Sequence, residues 1–387
     1  MTSPRAYLDY NASAPLLDAA REAVVAALDV SANPSSVHSE GRFARRLIED
    51  ARRDVAALVG AKPEHVVFTS GATEAASTLL SPDWQMGRGA IRMSKLYVSS
   101  AEHPCLLNGG RFQPENIVLV GVNRDGVIDL AALESALSSH DKAQGLPLVA
   151  IHVANNETGV VQPIEKIAAI VKAAGGILVL DAVQAAGRIP LDISSACGDY
   201  LILSSHKIGG PKGVGAIVAA SDLMMPKPLV SGGGQEKGHR AGTENLTAIA
   251  GFGAAARVAK ETLGDIERVR ALRDMIENTI FSVVPDAEIF GKGAERLANT
   301  SFFAIPGVKA ETAQIAFDLA GVALSAGSAC SSGKVGPSHV LKAMGFAENT
   351  GALRVSIGAA TTKEEIDLFA AALEKLAARR SEKSKAA

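Results

Sequence analysis

Residues 177–184, with the sequence ILVLDAVQ, form a short apolar run that closes on a carboxylate, Asp181. An unbroken apolar run of this length is typical of a strand buried on both faces of a parallel sheet. Five further runs of this kind occur in the first two thirds of the chain, at residues 65–69, 96–99, 117–120, 148–153 and 200–203. Segments with helical periodicity lie before and between these runs, at residues 36–59, 129–137 and 163–174. The alternation predicts an α/β domain whose mostly parallel sheet is covered by helices on both faces.

A different pattern begins after about Thr243. Residues 245–284 have mainly helical character. Further strands and helices follow, at residues 301–305, 311–319, 322–324 and 353–357, with a last helix that opens on a capping box formed by Thr362 and Glu365. We interpret this part as a smaller α+β domain. The expected division is a large domain at residues 15–257 and a small domain at residues 1–14 and 258–387.

Composition limits the class of protein. The chain has 387 residues, 47% of them hydrophobic and 21% charged, as in ordinary globular proteins with two or three domains. With 39 basic and 41 acidic residues the formal net charge is -2, which gives no electrostatic reason to expect nucleic acid as a partner. Three cysteines are too few for a disulfide framework and suit a reducing compartment. Since residues 1–10 lack the apolar core of a secretory signal, we expect a cytoplasmic protein.

The end of the strand at residues 200–203 carries the strongest local signal, Lys207 in the sequence SSHK. A lysine at the end of a buried strand is costly unless it is paired or neutral, and a Schiff base with an aldehyde cofactor would use it. The alternative is a surface lysine in a glycine-rich turn. Asp181 could pair with a protonated pyridine nitrogen, although alone it is more often a helix N-cap. Because ligands bind beyond the carboxyl ends of such strands, the two residues together favour a cofactor site.

Three weaker signals have plausible alternatives. The sequence SGATE at residues 70–74 places glycine and a hydroxyl group where a strand turns into a helix, a ready phosphate site that also occurs without any ligand. His103 could stack on an aromatic cofactor and shuttle protons, or be structural. Arg354, inside an apolar strand, could bind a substrate carboxylate or form an internal salt bridge.

Cys330 lies among glycines and small residues at positions 325–333, which predicts an accessible loop. Structural cysteines usually have large apolar neighbours, whereas a cysteine on such a loop can act as a nucleophile when its thiolate is available. A second glycine-rich stretch, at residues 231–242, is expected to be an active-site loop. No second Cys/His pair lies at a zinc-like spacing from His103 and Cys105.

Taken together, these motifs resemble those of the group I (NifS/IscS-type) cysteine desulfurases, which are fold-type I pyridoxal-5'-phosphate (PLP) enzymes of the class-V aminotransferase family. The resemblance covers nearly the whole chain in the family's order. The shared motifs are NPSS (33–36), SGATE (70–74), EH (102–103), NNETG (155–159), RAGT (240–243) and GSAC (327–330), together with Asp181, Gln184, Ser204, His206 and Lys207.

The resemblance implies a mostly parallel seven-stranded sheet in the large domain and PLP as the cofactor. It implies that Lys207 binds the cofactor and moves protons, that Asp181 pairs with the pyridine nitrogen and that Gln184 contacts the ring oxygen. The remaining implied cofactor contacts are His103, which stacks on the ring, Asn156 near the substrate, and the phosphate ligands Ala72, Thr73, Ser204, His206 and, from a second subunit, Thr243. The implied substrate contacts are Arg354 at the carboxylate, with Asn156, Asn11 and Asn33.

The implied reaction removes sulfur from L-cysteine. Lys207, His103 and Cys330 would be the catalytic residues, L-alanine the product, and a persulfide on Cys330 the carrier of sulfur to an acceptor for iron–sulfur assembly or thiolation. The implied state is a homodimer with shared active sites. No fixed metal ligand is expected, although the Cys330 persulfide could transiently contact an iron–sulfur cluster.

The sequence departs from the family's motifs at one point, and alternative functions share part of the site. Residues 75–77, with the sequence AAS, stand where the family usually carries an asparagine, a change near the phosphate turn. A selenocysteine lyase or another fold-type I enzyme would share most of the site, but an aminotransferase would need no cysteine such as Cys330. A non-catalytic sulfur carrier would not need Lys207 and Asp181. A serine hydrolase is disfavoured because no G-x-S-x-G sequence occurs.

Overall fold

The computed structural model describes residues 5–195, 197–327, 337–347 and 350–386. In these ranges the strands are β1 (Ala6–Tyr7), β2 (Val66–Thr69), β3 (Asp83–Met86), β4 (Gly89–Ser99), β5 (Ile117–Val120), β6 (Leu146–His152), β7 (Ile177–Asp181), β8 (Tyr200–Ser204), β9 (Gly215–Ala219), β10 (Met224–Pro226), β11 (Glu288–Ile289), β12 (Thr300–Ala304), β13 (Val322–Ala323), β14 (Ser325–Ala326) and β15 (Leu353–Ser356). The helices are α1 (Asp18–Leu28), α2 (Ser39–Leu58), α3 (Ala72–Leu79), α4 (Pro104–Leu107), α5 (Leu130–Ser138), α6 (Ile164–Ala174), α7 (Leu246–Glu261), α8 (Ile266–Val283), α9 (Ala310–Leu319), α10 (His339–Ala343) and α11 (Lys363–Ala386).

The large sheet has the strand order β10-β3-β4-β6-β7-β8-β9-β2, with β5 also paired to β4. Strands β4 to β8 run parallel, whereas β9 is antiparallel to both β8 and β2. The predicted α/β class is therefore confirmed, but the sheet is mixed and not mostly parallel, with four parallel and four antiparallel strand pairings in the described part of the chain. The long strand β4 also pairs at its start with β3, and β3 pairs with β10, so the expected seven strands become nine.

Both faces of this sheet are covered, as the apolar runs predict. Along β7, Leu178 and Leu180 face a core shared with α2, α5, α6 and α7, while Ile177 and Val179 face a second core with α3 and α4. Because successive side chains of a strand point to opposite faces, a continuous apolar run can fill both cores. The polar residues that follow these strands lie outside both cores, at one edge of the sheet.

The rest of the chain builds a four-stranded antiparallel sheet in the order β11-β12-β15-β14. Helices α8, α9 and α11 share a core with it. The predicted capping box of the last helix is present, since the Thr362 N–H donates to Glu365 Oε2 at 3.0 Å and the Glu365 N–H donates to Thr362 Oγ1 at 3.4 Å. Among the helices that the structure describes, none is both long and apolar enough to cross a membrane.

Helices α2 and α7 approach closely at Gly253. A Cβ atom added there would lie 2.5 Å from Ala51 Cα, a backbone atom that cannot move aside cheaply. We therefore expect Gly253→Ala to lower the free energy of unfolding by about 1–3 kcal/mol, as overpacking usually does. Urea denaturation measures the change. Gly264→Ala is the matched control, because a Cβ atom there meets no atom within 4 Å, and equal stabilities of the two variants would contradict the prediction.

Candidate active site

A cavity of about 600 Å³ opens at the carboxyl ends of β6, β7 and β8. Parallel strands bring their carboxyl ends to one edge, so side chains far apart in sequence meet there. The cavity is lined by nine of the residues implicated by sequence: Ala72, Thr73, His103, Asn156, Asp181, Gln184, Ser204, His206 and Lys207.

Lys207 follows β8 in a short 3-10 turn, Ser205–Lys207. Its Nζ donates to the carbonyl oxygens of Asn11, at 2.6 Å, and Ala12, at 2.9 Å. Gln184 Nε2 donates to the same Asn11 oxygen at 3.1 Å, and its Oε1 accepts from Arg188. These backbone carbonyls hold the amine at the cavity wall, where it can reach a carbonyl compound in the cavity.

Asp181 is the last residue of β7 and is buried. Its Oδ1 accepts the Val183 N–H at 2.9 Å, while Oδ2 has no hydrogen-bond partner within the described part of the chain. Burial raises the pKa of Asp181 to about 6, helped by the Glu102 charge and opposed by the Val183 N–H, His152 and Lys207. A cationic partner in the cavity would favour the ionised carboxylate.

A buried pair next to Asp181, formed by Glu102 and His152, was not recognised from the sequence. His152 Nδ1 lies 2.8 Å from Glu102 Oε1, and the His152 N–H donates to both Glu102 oxygens at 2.9–3.0 Å. Burial lowers the pKa of His152, but the Glu102 carboxylate outweighs it, so the net pKa is raised. In the sheet register His152 stands beside Asp181. The position of His152 at the end of a predicted strand was the signal that could have identified it.

His103 caps the short helix α4. Its Nδ1 accepts the Cys105 N–H at 3.2 Å and lies 3.0 Å from Cys105 Sγ. Burial, together with the charges of Lys207 and His339, lowers the pKa of His103 to about 4. The ring is therefore neutral at neutral pH. Since Nδ1 acts as an acceptor, we assign the ring proton to Nε2.

The turn between β2 and α3 offers an anion site. The N-cap residue, Gly71, provides no side-chain cap, and the N–H groups of Ala72 and Thr73 make no hydrogen bond to the described residues. Such free amides at a helix N-terminus attract phosphate. Gly215 in β9 lets the backbones meet, because a Cβ atom there would lie 2.8 Å from Gly71 Cα.

The predicted substrate residues Asn11, Asn156 and Arg354 come together beside the cavity. Asn11 Nδ2 donates to the Asn156 carbonyl at 3.2 Å, and Arg354 Nη1 donates to the same oxygen at 2.9 Å. Arg354 is only 1% exposed and also pairs with Asp9, Nη2 to Oδ1, at 2.8 Å. Its Nε has no hydrogen-bond partner among the residues that the structure describes. The internal salt bridge considered from the sequence is therefore present, and the Nε–H group of Arg354 remains as a donor for another group.

Of the other predicted site residues, Asn11 and Arg354 lie beside this cavity and not in its lining, whereas two others lie elsewhere on the chain. Asn33 and Thr243 line a separate cavity of about 390 Å³ on the same chain. Cys330 lies outside the described residues. Within one chain, Asn33 and Thr243 are therefore brought to each other and not to Lys207.

The residues present fit PLP on geometry and chemistry. A lysine amine could bind its aldehyde, the open oxygen of Asp181 could face a pyridine nitrogen, and the free amides of Ala72 and Thr73 could hold its phosphate. The neutral, flat ring of His103 borders the space between them.

His103 is expected to stay neutral from about pH 6 to pH 8 in the cofactor-free chain, because its pKa is lowered to about 4. The same holds for His206, whose pKa burial, Lys207 and Lys212 also lower to about 4. Imidazole resonances assigned with His103→Gln and His206→Gln variants would report both titrations by NMR. A midpoint above about pH 6 for either ring would contradict the burial argument.

Comparison with known proteins agrees with the motifs. The family model "Aminotransferase class-V" matches residues 6–369. A protein named cysteine desulfurase from Cereibacter sphaeroides is 39% identical over 375 residues, covering 94% of this chain and 93% of that protein. Another from Frankia sp. is 39% identical over 378 residues, covering 93% and 88%. The crystal structure of a NifS-like protein from Rickettsia africae superimposes with a TM-score of 0.86 at 33% identity, covering 96% of this chain and 99% of that one. The resemblance inferred from the motifs is confirmed: the chain belongs to the class-V aminotransferase family and, within it, to the NifS-type cysteine desulfurases.

Proposed function

We propose that this chain uses PLP held at Lys207 to take sulfur from L-cysteine, releasing L-alanine and leaving a persulfide on Cys330. The observation that carries the proposal is the meeting of Lys207, Asp181 and the free amides of α3 in one cavity. Relatives named cysteine desulfurase, 36–39% identical over most of both chains, support the choice of reaction.

When bound, PLP supplies a conjugated ring that accepts the electron pair left on the substrate α-carbon. Asp181 Oδ2 would pair with the ring nitrogen and keep it protonated, which would make the ring a better electron acceptor. Gln184 Nε2 uses one N–H on the Asn11 carbonyl oxygen, and its second N–H would be the donor for the ring oxygen. His103 would stack on the ring. The amides of Ala72 and Thr73, together with Ser204 and His206, would hold the phosphate.

Lys207 moves the α-proton. Once the substrate amine has released it, Nζ returns to the carbonyl oxygens of Asn11 and Ala12. The neutral amine takes the proton, and the two carbonyls stabilise the ammonium ion that results. The same Nζ would then deliver that proton away from the α-carbon, so that the α-carbon side of the substrate can accept the electron pair of the carbon–sulfur bond when this bond breaks.

Arg354 receives the substrate carboxylate. Its pairing with Asp9 and with the Asn156 carbonyl fixes the plane of the guanidinium, and Nε remains as a donor. Orienting a bidentate group in advance lowers the entropic cost of binding. The hydrogen bond from Asn11 Nδ2 to the Asn156 carbonyl oxygen stabilises the same wall of the cavity.

Cys330 takes the sulfur. Its thiolate attacks the substrate sulfur, a sulfur–sulfur bond forms, and the carbon–sulfur bond breaks with its electron pair remaining on carbon. Protonation of that carbon gives the methyl group of alanine. The persulfide then passes its outer sulfur to an acceptor protein for iron–sulfur assembly or thiolation, in a cytoplasmic setting that keeps thiols reduced.

The functional unit in this proposal is a homodimer. Thr243 and Asn33 share a surface cavity away from Lys207 of their own chain. We infer that Thr243 reaches the cofactor phosphate of the partner subunit and that Asn33 completes its substrate pocket. Each subunit would have a large domain at residues 15–257 and a small one, with Cys330, at residues 1–14 and 258–387.

The purified chain is expected to be yellow with PLP, to change its absorbance when L-cysteine is added, and to form alanine with reductant-dependent sulfide. Cys330→Ser should keep the absorbance bands and lose desulfuration by at least about 100-fold, because only the sulfur acceptor is removed. Absorbance spectra and alanine assays measure both. A colourless, inert wild-type chain after PLP addition would refute the function, and normal alanine formation by Cys330→Ser would refute the role of this thiol.

Mixing inactive variants tests whether two subunits share one site. Lys207→Ala removes the amine, and Thr243→Glu places a negative charge where we infer the partner's phosphate. In mixed dimers one site has both native residues, so a 1:1 mixture after subunit exchange should regain about a quarter of wild-type activity. Activity no greater than the sum of the two variants, with exchange verified by mass, would show that the sites are not shared.

A further inference from the structure

An acidic side chain lies at the phosphate end of the cavity. Glu74, in the first turn of α3, lines the cavity beside the free amides of Ala72 and Thr73, and its side chain is 10% exposed. Its Oε2 accepts the Ser70 N–H at 2.8 Å, which shapes the turn. A carboxylate this close to a phosphate dianion would repel it.

The compensating charge comes from the glycine-rich stretch at residues 231–242. Arg240 Nε donates to Glu74 Oε1 at 3.0 Å, and Nη2 lies 3.5 Å from Oε2. Burial raises the pKa of Glu74, but Arg240 and the Ser70 N–H outweigh it, so the pKa is lowered. Glu74 therefore stays ionised at neutral pH, and among the described residues Arg240 is the cation that balances it by direct contact. Lys212, which is exposed, and Lys207 add positive charge elsewhere on the cavity wall.

Buried hydrogen bonds hold the loop that carries Arg240 in place. Buried Glu236 forms a bidentate pair with Arg52, at 2.7 Å for each bond, and accepts the Phe68 N–H at 2.8 Å. These bonds hold Glu236 and Lys237 in left-handed backbone conformations, with φ of 46° and 56°. Phe68 belongs to β2, the strand that leads into the phosphate turn. The loop and the turn are thus fastened to the same strand.

We propose that Arg240 is a positioning residue that sets the affinity for the cofactor phosphate, by neutralising and orienting Glu74. This inference rests on the proposed function, which makes the cavity a PLP site. Cofactor binding is then coupled to the glycine-rich loop, whose next residues lead to Thr243.

The test compares PLP with pyridoxal, which lacks the phosphate, on the full chain freed of cofactor. Arg240→Ala should weaken PLP binding by roughly tenfold or more, because Glu74 is left unbalanced, and change pyridoxal binding by less than about twofold. Arg240→Lys should keep most of the PLP affinity. Adding Glu74→Gln to Arg240→Ala should restore PLP binding to within about threefold of wild type, since the repelling charge is gone. Dissociation constants from absorbance titrations measure each effect.

Arg380→Gln is the matched control, because Arg380 forms an ion pair with Asp286 outside the cavity, Nη1 to Oδ1 at 2.8 Å. It should leave both affinities unchanged. Restoration in the double variant excludes misfolding as the cause of the loss. Equal weakening of PLP and pyridoxal by Arg240→Ala, or no rescue by Glu74→Gln, would overturn the inference while wild-type PLP uptake upholds the proposed function. Failure of the wild-type chain to bind PLP would instead refute the proposed function.

Discussion

The carbonyl oxygen of Asn11 is the contact on which the site depends. It accepts from Lys207 Nζ and from Gln184 Nε2, while the Asn11 side chain bonds to Asn156 and Thr300. One buried residue of the N-terminal segment thereby joins the carboxyl edge of the large sheet to β12 of the smaller one. Because an unsatisfied polar group here would be costly, the network fixes a single arrangement of the cavity wall.

Burial then gives the cavity its electrostatic character. The same loss of water raises the pKa of Asp181 and lowers the pKa of His103, so each is pushed toward its neutral form. A protonated pyridine would reverse the effect at Asp181 by pairing with its open oxygen, and would leave the neutral His103 ring as a stacking surface. Asp181 would respond to a pyridinium because its carboxylate carries the opposite charge, whereas the neutral His103 ring would not.

Strand periodicity and the residues at strand ends were the features that made part of the site predictable from sequence. Lys207 and Asp181 were found because an apolar strand precedes each, and parallel strands share an edge. Strand β3, with the sequence DWQM, is too polar to be recognised, and β9 begins at a glycine. The contact between Glu102 and His152 spans 50 positions, so no local pattern reveals it.

Long-range pairing also explains how an acidic residue can stand beside the phosphate site that we propose. Glu74 and Arg240 are 166 positions apart, and the sequence alone shows Glu74 only as the end of a phosphate-type turn. The carboxylate has a local use, since it takes the Ser70 N–H and leaves the next two amides of the helix, those of Ala72 and Thr73, free for an anion. In our proposal the negative charge of Glu74 would repel a bound phosphate unless the loop holds Arg240 against it. The geometry of the turn is therefore local, but its charge is set by a distant loop, and a phosphate would experience both.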